Sequence, residues 1–139
     1  MSRETWTYPR TLTLEHLAPA TAEFLTRMMD ERKGGLPYFT VRLDAAPPVA
    51  VHEWPDWGDM TARFAEALMM ARLMTGQHRW VPAERRLLEL LISFFGPDGL
   101  NYRAKTAWSG EDALLFDQSR VLTTLVSWSM LGTDERASR

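Results

Sequence analysis

The amino-acid sequence predicts a mainly α-helical fold in which helices pair into hairpins, with a short extended segment near residues 36–52. Apolar side chains recur at helical spacing in four stretches. Between the first two stretches, Phe39, Val41 and Leu43 alternate with polar side chains. We expect one domain, with a lead-in and first helix over residues 1–35, an extended segment over 36–55 and helical hairpins over 56–139.

Composition excludes several functional classes. The chain has 139 residues, a net charge of −2 and no cysteine. This charge gives no reason to expect nucleic acid or an anionic membrane as a partner. Without cysteine there is no disulfide, thiolate metal site or cysteine nucleophile. The first residues lack the apolar core of a signal peptide, and no apolar run is long enough to span a membrane, so we expect a cytoplasmic protein.

The first helix is predicted from about Pro19 to Glu31. A proline is tolerated in the first turn of a helix, whereas further inside it would clash with the preceding turn. Gly34 and Gly35 are expected to end this helix. The alternating run over residues 36–44 is then typical of a strand, which the proline pair at 47 and 48 ends.

The second helix is predicted to begin at Trp57 or Gly58, with Asp56 as its N-cap and Asp59 as the capping partner. From residue 60 to 74 almost every face of this helix is apolar, which predicts that protein surrounds it. Only Asp59, Arg63 and Glu66 form a polar line.

Two further helices follow. The third is predicted to begin near Val81 with Pro82 in its first turn, and its apolar stripe indicates packing on one side only. A turn at residues 96–99 leads into a hairpin-like segment over 100–108. The fourth helix is predicted to be capped by Ser109, with Asp112 three residues on, and to run to Met130.

The second and fourth helices end alike. Glycine follows each of them, at Gly76 and Gly132, about 56 residues apart, which is near the period of repeated helical hairpins. The partner expected after the fourth helix does not follow it. The pattern therefore favours the N-terminal part of a larger repeat domain, and a coincidental glycine C-cap is the alternative.

This pattern resembles the six-hairpin α/α-toroid carbohydrate enzymes. The resemblance rests on the hairpin period, the apolar helix closed by Met74-Thr75-Gly76, and the amphipathic helix followed by residues 97–102, Pro-Asp-Gly-Leu-Asn-Tyr. It implies an incomplete toroid in which inner helices surround a cleft. The resemblance also implies that residues 53–59 and 102–112 lie on the rim of that cleft and bind carbohydrate. The absence of cysteine departs from toroid enzymes that use thiolate-bound zinc.

The carboxylates near this expected rim are candidates for catalysis. A glycosidase needs two carboxyl groups, about 5 Å apart for retention or about 6.5–9.5 Å for inversion. Asp56 fits a helix cap better, Asp117 is typical of a surface ion pair, and Asp112 is a further candidate. Glu53 has no predicted helical role, and Asp59 is either a capping partner or a catalyst. We therefore predict Glu53 and Asp59 as the catalytic residues.

Five other residues are predicted to bind substrate: His52, Trp54, Trp57, Tyr102 and Arg103. The two indoles offer flat faces to a sugar ring, or else act as wedges in the core. Tyr102 and Arg103 could bind a uronate, or the arginine could pair with a nearby aspartate. His52 is far in sequence from the other two histidines, so we expect neither a metal site nor a cofactor.

The sequence thus favours a fragment of a glycoside hydrolase that is inactive by itself. Two alternatives stay open. One is a polysaccharide lyase or sugar epimerase of the same fold, with Tyr102 as the proton donor. The other is a non-enzymatic helical module that forms a homo-oligomer through an exposed fourth helix, around Leu122, Leu125 and Trp128.

Overall fold

The computed structural model describes residues 13–103 and 113–132, and in these residues the chain is mainly α-helical, as predicted. The helices are α1 (Leu14–Arg27), α2 (Gly58–Thr75), α3 (Val81–Ser93) and α4 (Leu115–Ser127), and a π-helical turn, Trp128–Gly132, continues α4. Four short strands form two antiparallel hairpins: β1 (Met29–Asp30) with β2 (Leu36–Pro37), and β3 (Thr40–Arg42) with β4 (Val49–Val51). In the described ranges, no helix is both long and apolar enough to cross a membrane.

Helix α2 is the centre of the fold, because α1, α3 and α4 all pack against it. Ala65 and Leu68 of α2 are fully buried in the main core cluster, together with Ala22 from α1 and Leu87 from α3. A second cluster joins α2, α3 and α4. The prediction that protein surrounds this helix is confirmed along most of its length, although Leu73 and Met74 in its last turn are exposed.

A buried ion pair ties three of these elements together. Arg72 of α2 donates two hydrogen bonds of 2.9 Å to Glu84 of α3. The indole N–H of Trp128, in the π-helical turn, donates to the same carboxylate at 2.9 Å. Arg72 and Glu84 are both buried. The pair thereby fixes the end of α4 to the α2–α3 hairpin.

The predicted bounds of the first helix were wrong at both ends. It begins at Leu14, contains Pro19 in its interior, and ends at Arg27. The chain tolerates Pro19 because the turn before it is exposed, which leaves the carbonyl of Glu15 open to water. Gly34 and Gly35 have positive φ and lie between β1 and β2. Gly34 caps a short 3₁₀ turn, Glu31–Lys33, so the glycines close a hairpin and do not end α1.

The predicted strand over residues 36–44 consists of two strands that belong to different hairpins. Thr40, Val41 and Arg42 pair with Val51, Ala50 and Val49 in that order. The apolar side chains that produced the alternating pattern, Phe39, Val41 and Leu43, are exposed. The alternation of apolar and polar side chains therefore indicates an extended backbone here, but its apolar side is not buried.

Helices α2 and α3 begin where the sequence predicted, at Gly58 and Val81. Asp56 does not cap α2, because it lies inside a 3₁₀ turn, Trp54–Asp56, that precedes the helix. Gly76 ends α2 with a φ of 66°. The predicted cap of the fourth helix at residues 109–112 lies outside the described residues, and α4 itself begins at Leu115.

Candidate functional site

The fold brings together two of the segments that the sequence predicted separately for substrate binding. The guanidinium of Arg103, beyond the turn that follows α3, lies 4.3 Å from the ring centroid of Trp54 in the 3₁₀ turn. This is a cation–π contact with an indole that remains 48% exposed. Trp54 and the buried Arg103 are therefore in direct contact although nearly fifty residues separate them.

Asp117, near the start of α4, holds Arg103 in place. Its two carboxylate oxygens accept hydrogen bonds from Arg103 Nε at 2.5 Å and from Nη2 at 3.1 Å. Both side chains are buried. The sequence predicted a surface ion pair for Asp117, whereas the pair is buried and positions a residue of the candidate site. Such bidentate pairs fix the plane of the guanidinium as well as its position.

The close approach of α4 to α2 depends on a glycine, Gly58, at the first position of α2. A Cβ on Gly58 would lie 2.8 Å from the Cβ of Asp117, closer than two such atoms can come. The first residue of α2 therefore has to be small for Asp117 to reach Arg103. Sequence reasoning placed Gly58 at the start of the helix but gave no signal of this contact.

Two open pockets border the Trp54–Arg103 contact, one through Trp54 and the other through Arg103. One has a volume of about 410 Å³ and is lined by Arg42, Val51, His52, Glu53 and Trp54. The other has a volume of about 550 Å³ and is lined by residues 93–98 together with Tyr102 and Arg103. Because Trp54 borders the first pocket and Arg103 the second, the pockets are neighbours.

Glu53 is an exposed carboxylate on the wall of the first pocket. The hydroxyl of Thr40 donates to its Oε2 at 2.9 Å. Glu53 also has a capping role that the sequence analysis did not foresee. Its side chain and that of Asp56 form a reciprocal capping box across the 3₁₀ turn. The carboxylate is therefore positioned by the backbone while it stays open to solvent.

His52, which also lines the first pocket, belongs to a largely buried polar cluster with Asp30, Tyr38 and Asp56. His52 Nδ1 lies 2.8 Å from an oxygen of Asp56, and Nε2 lies 3.3 Å from an oxygen of Asp30. The ring of Tyr38 stacks on the imidazole with centroids 4.2 Å apart. Since both ring nitrogens face carboxylates, His52 joins the first hairpin to the 3₁₀ turn and is held in place in the pocket wall.

The two carboxylates of this cluster have opposite pKa shifts. The Tyr38 hydroxyl donates to Asp30 at 2.8 Å and, with further donors, holds the pKa of Asp30 well below its usual range. Burial raises the pKa of Asp56, although the amide of Glu53 and His52 both bond to it. Sequence reasoning missed Asp30 and Tyr38, because the β1–β2 hairpin brings them to His52.

Asp59, the second predicted catalyst, lies in a different environment. It is buried and accepts a hydrogen bond of 2.8 Å from Arg63 of its own helix. Arg120 of α4 approaches the same oxygen to 3.8 Å. Asp59 is not among the residues that line either of the two pockets. The structure therefore does not bring Glu53 and Asp59 to one pocket.

Of the two remaining predicted residues, Tyr102 lines a pocket of the candidate site and Trp57 does not. Tyr102 lines the second pocket and donates a hydrogen bond of 2.6 Å to Asp98, which lowers the pKa of that carboxyl. Trp57 is half-buried at the start of α2 and lines neither pocket. In the part of the chain that the structure describes, no three His, Asp or Glu side chains are placed to hold a metal ion.

Comparison of the chain with known protein families, with curated proteins and with solved structures found no match.

Proposed function

We propose that this chain is part of a carbohydrate-active enzyme, that its reaction is the hydrolysis of a glycosidic bond, and that Trp54 binds a sugar ring. The observation that carries the proposal is the contact between Trp54, which lines one open pocket, and Arg103, which lines the other. Their volumes, about 410 and 550 Å³, lie in the range of about 300–1,000 Å³ that is usual for small-molecule sites.

Trp54 suits a sugar because its indole combines a flat apolar face with a fixed position. Large aromatic side chains bury much area at a small conformational cost. Arg103 covers part of the ring, and its ion pair with Asp117 keeps it there. A sugar ring against the exposed part of the indole would extend into both pockets.

Glu53 is the residue that we propose as the acid or base. It is exposed, positioned by Thr40, and adjacent to Trp54 on the same pocket wall. Asp59 lines neither pocket and accepts a hydrogen bond from Arg63, so it would act only after Arg63 releases it. Asp98 is a further carboxylate to test, since it borders the neighbouring pocket and its lowered pKa keeps it ionised.

Lyase or epimerase chemistry is the alternative for the same surface. It would use Arg103 to bind a uronate carboxylate and Tyr102 as a proton donor. However, Arg103 already binds Asp117, and Tyr102 already donates to Asp98. These contacts favour a neutral sugar, so binding of uronates in preference to neutral sugars would support the lyase alternative.

Saturation-transfer NMR with a panel of neutral and uronate-containing oligosaccharides tests the binding step. We expect binding of a neutral sugar with a Kd near 1 mM, which corresponds to about −4.1 kcal/mol. Trp54→Ala should weaken it at least about tenfold, by about 1.4 kcal/mol. The matched control is Phe24→Ala, which removes an aromatic ring of similar exposure from α1. If no sugar binds, or if both variants bind as the wild type does, the proposal is wrong.

The catalytic step is tested by turnover of glycosides in the longest reading frame that contains this chain. Glu53→Gln should lower kcat by about 10²–10⁴-fold, the range usual for a general acid or base. Asp59→Asn is the second variant, and Glu23→Gln on α1 is the control. Wild-type turnover in both Glu53→Gln and Asp59→Asn, with folding intact, would exclude these carboxylates from the mechanism.

A further inference from the structure

The outward side of α4 carries a row of exposed side chains, Leu115, Ser119, Leu122 and Val126, that we name the α4 seam. Leu122, at its middle, is 63% exposed. Phe116, Thr123 and Met130 flank the seam and are exposed as well. An apolar helix face of this length on a soluble protein indicates a docking surface.

No charge interrupts this face. The charged residues of α4 are Asp117 and Arg120, and both turn toward the rest of the fold. Asp117 is buried against Arg103, and Arg120 contacts Glu66 of α2. The exposed positions from residue 114 to 131 are consequently all uncharged. In coiled coils, charges beside the seam select the partner and its orientation, and α4 has none.

The spacing of the seam matches a two-helix contact. Its residues follow one another at intervals of four, three and four, which is the a/d pattern of a heptad. Small and large side chains alternate along it, so the leucines of one helix can fit beside the serine of another. This geometry suits a second helix laid along α4.

We infer that the α4 seam binds the α4 seam of a second copy of this chain. A charge-free seam meets its own copy without repulsion, which a twofold, self-complementary interface requires. Along α4, Leu115–Ser127, this face is about 20 Å long at the usual rise per residue. A contact limited to one such helix pair falls among small interfaces, below about 1,200 Å² in total. We therefore expect a dimer that dissociates in the micromolar range.

This surface differs from the one predicted from the sequence. Leu122 is shared, but Leu125 and Trp128 pack against the core of their own chain. Substitutions at those two positions would disturb folding, and only Leu122 tests the interface cleanly. None of the four seam residues lines either pocket of the candidate site, so a variant at Leu122 tests dimerisation without removing a side chain that sugar binding uses.

Sedimentation equilibrium of the 16.0 kDa chain over about 1–200 µM, which spans weak interfaces, measures the association. We expect a monomer–dimer equilibrium in the wild type, and at least a 30-fold weaker association for Leu122→Glu with an unchanged circular dichroism spectrum. The matched control is Leu43→Glu, in the loop after β3, where leucine is 78% exposed; it should still dimerise. A wild type that stays monomeric, or equal weakening by both variants, would overturn the inference.

The absence of cysteine permits a second test that does not depend on stability. Leu122→Cys introduces the only thiol of the chain. At the middle of the seam it lies near its own copy in either helix orientation, so mild oxidation should form a covalent dimer rapidly. Leu43→Cys serves as the control and should cross-link at least tenfold more slowly. Equal rates in the two variants would contradict the proposed interface.

Discussion

Gly58 lies where α2 begins and where Asp117 of α4 comes closest to its backbone. Alanine usually stabilises a helix relative to glycine by about 1 kcal/mol. At this position we expect the reverse, because the new Cβ would meet a buried side chain that Arg103 holds in place. Gly58→Ala should lower the free energy of unfolding by about 1–3 kcal/mol. Urea denaturation measures this, with Glu89→Ala on the exposed side of α3 as a control that should change little.

Tyr38 is the main hydrogen-bond donor to Asp30, and it makes the stability of the chain depend on pH. A carboxyl whose pKa is lowered by folding contributes stability above its ordinary value of 3.8 and loses that contribution as the pH falls toward the folded pKa. Tyr38→Phe should therefore be less stable than the wild type near pH 6, and the difference should shrink below about pH 3.8. Urea midpoints across a pH series measure it.

Tyr102→Phe provides the comparison for this pH dependence. It removes the same kind of bond, but from Asp98, which is exposed. Its effect on stability should be smaller at every pH. A constant difference between Tyr38→Phe and the wild type from pH 7 to the acid transition would show that the hydroxyl does not act through Asp30. Asp56 affects stability in the opposite direction. Its pKa is raised by burial, so its ionised form lowers stability as the pH rises.

At the scale of single residues, the sequence predicted several residues of the candidate site but not the contacts between them. Trp54 and Arg103 were both named as candidates, and they lie together in the fold. Their contact could not be predicted, because it depends on the approach of α4 that carries Asp117. His52 was named too, but Asp30 and Tyr38 reach it through hairpin pairing, which leaves no periodic signal in the sequence.

At the scale of single elements, α1 shows how a proline can mislead. Pro19 removes one hydrogen bond to the carbonyl of Glu15 inside a helix that continues on both sides. Pro19→Ala should restore it and raise the free energy of unfolding, by up to about 3 kcal/mol. Pro82→Ala is the matched control, because Pro82 lies in the first turn of α3, where no donor is lost. Equal effects of the two substitutions would contradict this explanation.

The elements that the sequence located well are those whose boundaries are set locally. Pro82 fixed the start of α3, and the apolar run after Gly58 fixed α2. The end of α1 was predicted too late, because Met28 and Met29 continue its apolar spacing. In the fold, Met29 instead begins β1 and pairs with Pro37. Pairing across a hairpin is a long-range preference that overrides the local pattern.

At the scale of the whole molecule, the Arg72–Glu84 pair links three elements, so its loss should affect global stability. Glu84→Gln keeps the shape of the side chain but removes the buried carboxylate that accepts hydrogen bonds from Arg72 and Trp128. Removing one member of a buried pair costs about 3–5 kcal/mol. We expect a loss of this size by urea denaturation, whereas Glu23→Gln in an exposed pair should change stability by less than about 1 kcal/mol. A small effect of Glu84→Gln would mean that water reaches the pair.

The fold class followed from the sequence because helix formation leaves a strong periodic pattern. The closed ring of hairpins that the resemblance implies remains a prediction, since it depends on how many hairpins assemble around a cleft. What the described residues do provide is one central helix with three others around it. Several apolar side chains remain at the surface, among them Phe24, Phe39 and Leu43.

The central position of α2 also has a consequence during synthesis. The helix emerges from the ribosome after α1, which can cover one of its sides at once. Its side toward α4 stays open until α4 appears, and Thr75 and Leu115 are 40 positions apart. At about 5–20 residues per second, this takes about 2–8 seconds. During that interval the nascent chain exposes the apolar side of α2 to chaperones. The yield of folded protein in cells should therefore depend on the speed of translation between these two helices.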